Sequence, residues 1–147
     1  MTVAAMLADK GREVTTITAA KSIADAVAVL AKHKIGALVV VEGGDRIIGI
    51  ISERDIVRAI AAGAAAGAGA ALIEPVSSIM TRTVVTCSEG ETIDSVMSRM
   101  TRGRFRHLPV VAGGKLAGII SIGDVVKARI QQVEHEAEEM RTYIATA

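Results

Sequence analysis

Two heptapeptides decide how this chain folds: Gly49-Ile-Ile-Ser-Glu-Arg-Asp55 and Gly118-Ile-Ile-Ser-Ile-Gly-Asp124. In each, an apolar run suited to a buried strand stops at a serine, and a helical pattern begins directly after it. A helix start presents unpaired backbone N–H groups and a partial positive charge, a setting that suits a phosphate. Ser52 and Ser121 add a hydroxyl there. Asp55 and Asp124, three residues on, add a carboxylate able to accept both hydroxyls of a ribose. The same spacing has a reading that needs no ligand, since Ser-x-x-Asp ahead of an apolar run is close to a capping box that satisfies the helix's own orphan donors. Recurrence after an identical Gly-Ile-Ile weighs towards a site, although duplication copies caps as faithfully as sites.

Outward from these segments the whole chain repeats, with a displacement of about seventy residues. One copy runs from Val14 to Ile60 and the other from Val84 to Ile130. Ile23, Val27 and Leu30 fall opposite Ile93, Met97 and Met100, and Leu38, Val40 and Val41 fall opposite Leu108, Val110 and Val111. A one-residue slip at the glycines then brings Gly49 onto Gly118. The lead-ins agree too: Val3, Met6 and Leu7 resemble Val76, Ile79 and Met80. Each copy reads as an extended piece (Val14 to Ile17; Val84 to Thr86), an amphipathic helix, a glycine-turned hairpin and a second helix, which is β-α-β-β-α twice. Ser22 with Asp25 predicts a capping box on the first helix. One copy alone has too little surface to bury its apolar stripes, so an α/β fold is expected in which two small sheets pack about a pseudo-two-fold axis as one domain. Its expected parts are a first motif over about 8–62, a linker over about 63–75, a second motif over about 76–130 and a long C-terminal helix over about 124–145.

Composition narrows the function. The chain has 147 residues, half of them apolar, and only Phe105 and Tyr143 as aromatics, so it lacks the stacking platforms of single-strand nucleic-acid binders. A formal net charge of +1 gives no basic excess for a polyanion. No nucleic-acid or membrane partner is expected. The stretch Met1 to Lys10 is too short for a secretory signal, and the Ala59 to Leu72 tract, the nearest approach to a membrane span, is interrupted by Gly63, Gly67 and Gly69. A lone Cys87 fits a reducing cytoplasm and reads as a buried small hydrophobe, with redox sensing as the alternative.

The pattern of strand, glycine, two apolar residues, Ser, two variable residues and Asp, repeated after Lys34-Ile-Gly-Ala-Leu-Val-Val-Val41 and Arg104-Phe-Arg-His-Leu-Pro-Val-Val111, resembles the cystathionine-beta-synthase-type (CBS) motif family. The resemblance runs from about Thr2 to Lys127. It implies a flattened module with two clefts, each mixing both motifs, for AMP, ADP, ATP, NAD(H)-type nucleotides or S-adenosylmethionine. Carried onto this sequence, Asp55 and Asp124 hold ribose hydroxyls, and Ser52 and Ser121 lie near phosphate. Asp124, with Ile119, faces a base pocket lined by Thr15, Ile17, Gly36, Ala37 and Leu38. Asp55 faces Val85, Cys87, Arg106, His107, Leu108 and Pro109. Arg54, Arg106 and His107 are the candidates for phosphate charge. Arg106 and His107 stand out because they lead into a buried-looking strand, where an unpaired cation is costly, although His107 also fits a satisfied core histidine. Arg104 is balanced between that role and solvated surface. Neutral Gly36 and Ala37 match Arg106 and His107, which implies two clefts of different affinity.

No catalytic kit accompanies these motifs. There is no Gly-x-Ser-x-Gly elbow and no His-Glu-x-x-His, Gly114-Lys115 is followed by Leu116 where a Walker loop needs Ser or Thr, and Gly67-x-Gly69 has no strand before it. His33, His107 and His135 are too scattered for a metal. The expectation is a stand-alone, non-enzymatic regulatory module without catalytic cofactors that binds AMP, ATP or NAD(H) and signals to another protein. The alternative is a structural or interaction module with unoccupied clefts. Beyond Asp124 the residues Val126, Ile130, Val133, Ala137, Met140 and Ile144 recur at alternating spacings of four and three, the seam of a coiled coil. The first half of that seam is expected to pack on its own module, and the second half to meet another subunit in a homodimer.

Overall fold

The continuous apolar run Ala37-Leu-Val-Val-Val41 forms all but the last residue of strand β2 (Ala37–Glu42) and is buried throughout, as a strand covered on both faces should be. The computed structural model to which it belongs describes residues 1–67 and 69–146. Its contacts divide into two units, one of Val14–Val85 and one of Met1–Glu13 with Thr86–Ala147.

In the first unit β1 (Thr16–Thr18) lies parallel to β2, and β3 (Arg46–Ser52) lies antiparallel on the other side, giving the order β1-β2-β3. Helix α2 (Ile23–His33) makes the crossover a parallel pair requires. The predicted capping box is present, with Asp25 N–H on Ser22 Oγ at 3.0 Å and Ser22 N–H on Asp25 Oδ2 at 3.1 Å. The helix ends at Lys34, which takes the left-handed conformation (φ 54°) that usually selects glycine. Ile23, Ala26 and Leu30, spaced by three and four, carry its buried face into a core with Ile17, Leu38 and Ile51. Helix α3 (Glu53–Ala62) follows β3 with no intervening loop. A 3₁₀ turn (Ala64–Ala66) and the short α4 (Gly69–Leu72) occupy part of the expected linker, in which Ala68 lies outside the described residues.

The second unit repeats the plan with α5 (Ile93–Gly103), β4 (His107–Ala112), β5 (Lys115–Ser121) and α6 (Ile122–Thr146). One element differs. The expected strand over Val84 to Thr86 is absent, and only a single parallel bridge joins Cys87 to Val110. Cys87 N–H bonds Pro109 O at 3.0 Å and Val111 N–H bonds Cys87 O at 2.9 Å. One rung earlier the ladder would need a donor from Pro109, which has none. In the first unit Val39 holds that place opposite Thr16, and the strand continues. The one-residue slip also has a cause. The first hairpin turns through Gly43, Gly44 and Asp45, whereas the second turns through Gly113 and Gly114 alone, both at positive φ (58° and 76°) as a type I′ turn requires.

The lead-ins are exchanged. Helix α1 (Val3–Lys10) precedes the first repeat but packs with the second, where Val3, Met6 and Leu7 are buried. Its first-turn amides bond Glu91 O (from Val3) and Glu89 O (from Ala4), both at 2.9 Å. The lead-in of the second repeat, a 3₁₀ turn (Val76–Ser78) continuing to Thr81, packs with the first. Val76 N–H bonds Lys21 O at 2.7 Å, and Thr81 exchanges two backbone bonds with Ile50. Each lead-in rests on a strand glycine. A Cβ on Gly118 would come within 2.8 Å of Leu7, and one on Gly49 within 2.7 Å of Met80. The buried apolar residues form two clusters, one in each unit.

On α6 only Val125 and Ala128 are buried. The seam expected to pack in its first half is exposed from the start, with Val126 44% and Ile130 53% accessible, because the helix meets its own unit one residue round from that stripe. No helix among the described residues is long and apolar enough to cross a membrane.

Candidate functional site

Both strand-to-helix junctions have the same internal geometry. Ser52 leaves β3 in extended conformation, and its amide and hydroxyl both donate to Asp55 Oδ2, at 2.8 and 3.0 Å, while Asp55 N–H returns to Ser52 Oγ at 3.3 Å. Ser121 and Asp124 repeat this at 2.8, 3.0 and 3.2 Å. The first helical amide is held as well. Glu53 N–H bonds Gly36 O at 2.9 Å, and Ile122 N–H bonds Arg106 O at 2.8 Å. These bonds explain why the chain turns so sharply at the serine. They also reduce the amides free to meet an anion to the second position, Arg54 or Gly123. The capping box is therefore real, yet each box uses only Oδ2 of its aspartate, and a carboxylate has about four acceptor sites.

The junctions differ in one cation. Lys10, at the end of α1, donates to Asp124 Oδ2 at 2.6 Å and to Ile119 O at 2.7 Å. Burial pushes the Asp124 carboxyl up, but the Lys10 hydrogen bond, the Ser121 bonds and the lysine's charge outweigh it and leave the group below its ordinary value. The sequence did not single out Lys10. Its only signal was a basic residue in the last turn of a short lead-in helix, a common way of complementing a helix C-terminus.

The other expected residues divide by unit. Thr15, Ile17, Gly36, Ala37, Leu38, Ser52, Arg54 and Asp55 lie in the first, with Ala37 opposite Ser52 in the sheet register. Val85 closes that unit as an exposed residue. Cys87, Arg106, His107, Leu108, Pro109, Ile119, Ser121 and Asp124 lie in the second, with His107 opposite Ser121. Ile17 and Leu38 are core residues of the first unit, as Cys87 and Leu108 are of the second. Arg106 is exposed, so no desolvation cost demands a partner for its charge, contrary to expectation, and what ties it to the junction is its carbonyl. Cys87 is 4% accessible, and burial, with Glu91 nearby and only partly offset by Arg99, pushes its thiol up to about 11. Arg99 braces the segment before it, bonding Glu91 Oε1 and Thr86 O, each at 2.7 Å. No group of three or more His, Cys, Asp or Glu is placed to hold a metal among the described residues.

A duplicated strand, capped junction and helix, with an aspartate one turn in, define a tandem CBS-domain protein. The CBS domain model matches residues 10–62 and 76–131, and the chain belongs to the CBS-domain family. It is similar to the crystal structure of a CBS-domain-containing protein from Agrobacterium tumefaciens, at 48% identity over 88% of this chain and 99% of that one, with a TM-score of 0.82. A mitochondrial CBS domain-containing protein of Arabidopsis thaliana is 34% identical over 84% of this chain, which spans only 60% of that protein. The CBS domain pair of protein MJ0100, solved in complex with 5′-methylthioadenosine and S-adenosyl-L-methionine, is 27% identical over 87% of this chain and 98% of that one, with a TM-score of 0.71. CBS-domain pairs are regulatory modules, and this neighbour holds adenosine-containing ligands.

Proposed function

We propose that the chain is a non-catalytic, cytoplasmic regulatory module that binds an adenosine nucleotide, of the AMP, ATP or NAD(H) type, at its two strand-to-helix junctions and passes the signal to another protein. The observation that carries this is the division of labour on Asp55. Oδ2 closes the cap, while acceptor capacity remains for a sugar hydroxyl and the Arg54 amide faces the same helix tip. Cap and site are then compatible roles of one residue. Calorimetry with AMP, ATP, NADH and S-adenosylmethionine tests it. Asp55→Ala should weaken binding at that junction at least about tenfold, as the loss of a charge-assisted pair of hydrogen bonds implies, with the circular dichroism spectrum unchanged. If none of the four binds and Asp55→Ala unfolds the chain, the aspartates are caps alone, and the alternative of an interaction module with unoccupied clefts takes over.

The exposed seam of α6 supports the second part of the proposal, a homodimer. Val126, Ile130, Val133, Met140 and Ile144 are 44 to 68% accessible, and Ile122, Val126 and Ile130 line an open groove of about 410 Å³. A stripe with coiled-coil spacing is complementary to a second copy of itself.

A further inference from the structure

Ile50 and Ile119 hold matching places, two residues before the capping serine. Ile50 spends both backbone groups on Thr81, at 3.0 and 2.9 Å. The lead-in beside Ile119 is instead the helix α1, which offers no extended strand, and the Ile119 carbonyl takes the Lys10 ammonium at 2.7 Å. The same ammonium reaches Asp124 Oδ2. It stands between the C-terminal end of α1 and the N-terminal end of α6, and each helix end favours the charge next to it. The base of α1 is fixed by its buried Val3, Met6 and Leu7, whereas the Lys10 side chain is 33% accessible and can swing out without unwinding the helix.

The two carboxylates therefore differ as acceptors. Among the described residues, two donors reach Asp55, both from Ser52, and three reach Asp124, which is also the one with an opposite charge in contact. All of these donors fall on Oδ2, so Oδ1 keeps its acceptor sites in both, and what separates the junctions is the Lys10 ammonium, whose charge and 2.6 Å bond make the Asp124 carboxylate the weaker acceptor for ribose hydroxyls.

We propose that Lys10 is an internal latch on the Asp124 junction: a ligand must compete with the ammonium for that carboxylate, so the Asp55 junction fills first and the Asp124 junction is the weaker, salt-sensitive one. This deepens the adenosine reading above and rests on it. Calorimetry with AMP, ATP, NADH and S-adenosylmethionine, run on Asp55→Ala to isolate the Asp124 junction, reads the latch. Adding Lys10→Met, which keeps the aliphatic stem, or Lys10→Gln, which keeps a donor for Ile119 O, should tighten binding about fivefold, the upper range of what a partly exposed ion pair imposes. Asp124→Ala should remove that gain. No gain with either Lys10 variant overturns the latch, and a loss would make Lys10 a ligand contact instead. Silence of all four probes towards every variant and the wild type overturns the adenosine reading itself. A ligand-free measurement stands beside these: the Asp124 carboxyl titration followed by NMR should move up in Lys10→Met, and an unmoved midpoint removes the latch at its root.

Discussion

Asp55 and Asp124 each close a helix cap through one carboxylate oxygen, which leaves the proposed ligand role compatible with the local one. The sequence posed cap and ligand contact as rivals because a string of residue types does not say which carboxylate oxygen does which job. In the fold the serine amide and hydroxyl both donate to Oδ2, and the aspartate N–H donates back to the serine Oγ. Cys87 is a case where the sequence was sufficient, since a lone cysteine reads as a small hydrophobe, and the thiol is buried with its titration pushed up to about 11. A thiol that titrates higher in the folded chain than in the unfolded one (9.0) contributes stability that is complete below 9.0 and is lost as pH rises towards 11. The span is about two units, so up to about 2–3 kcal/mol is at stake. Urea midpoints measured from pH 7 to 10.5 should therefore fall more steeply for the wild type than for Cys87→Ala, and a thiol reagent at pH 7 should be slow until the chain unfolds. Arg106 marks the opposite outcome, because a charged residue leading into a buried strand need not be buried with it. Arg106 lies just before β4 begins at His107, and full burial sets in only from Leu108.

At the level of elements, the duplicated β-α-β-β-α order was legible because hydrophobic spacing carries it twice over, and two agreeing copies suppress accidental patterns. Departures between the copies come from single residues that the spacing ignores. Pro109 removes a donor and shortens the first strand of the second copy to a bridge, and Asp45 lengthens one hairpin by the residue that caused the slip. Gly49 and Gly118 were legible as markers of the motif but not as contacts. Their role is close approach, as a Cβ on Gly118 would meet Leu7 Cδ2 at 2.8 Å and Cδ1 at 2.9 Å. Leu7 is fully buried and has little room to retreat. Gly118→Ala should cost about 1–3 kcal/mol by overpacking. Leu7→Val in the same chain should recover part of that loss, and a coupling of about 0.5–3 kcal/mol in the double-mutant cycle would locate α1 on β5. Additive losses would say that the glycine is kept for another reason.

Across the whole molecule, the exchange of lead-ins was hidden by the very resemblance that revealed the repeat. Val3, Met6 and Leu7 resemble Val76, Ile79 and Met80, so the two lead-ins read as equivalent, and neither shows which repeat it packs with. The resolution lies in contacts far apart in sequence, such as Leu7 on Gly118, which periodicity does not reach. Helix α6 was legible in extent, since no Gly or Pro interrupts it beyond Gly123, but the side by which it docks was misjudged by one residue. Val125 and Ala128 go inward, and the seam from Val126 to Ile144 stays outside. A helix of 25 residues, roughly 37 Å long at 1.5 Å per residue, carries far more apolar surface along that seam than a solvated helix needs. Under the proposed dimer each seam residue is buried twice, once from each copy, because a two-fold interface repeats every contact. Val133 and Met140 are 49% and 60% accessible in the single chain, and exchanging either for glutamate would remove about 1.5 kcal/mol or more of apolar burial per copy and place two like charges in one interface. Val133→Glu or Met140→Glu should therefore raise the dimer dissociation constant at least about a hundredfold, the equivalent of about 3 kcal/mol. Glu134→Lys, off the seam, should leave it within about threefold. Light scattering across a micromolar dilution series reads both. A wild-type chain that stays monomeric at tens of micromolar, or a Val133→Glu chain that dimerises as before, would assign the seam to a different protein.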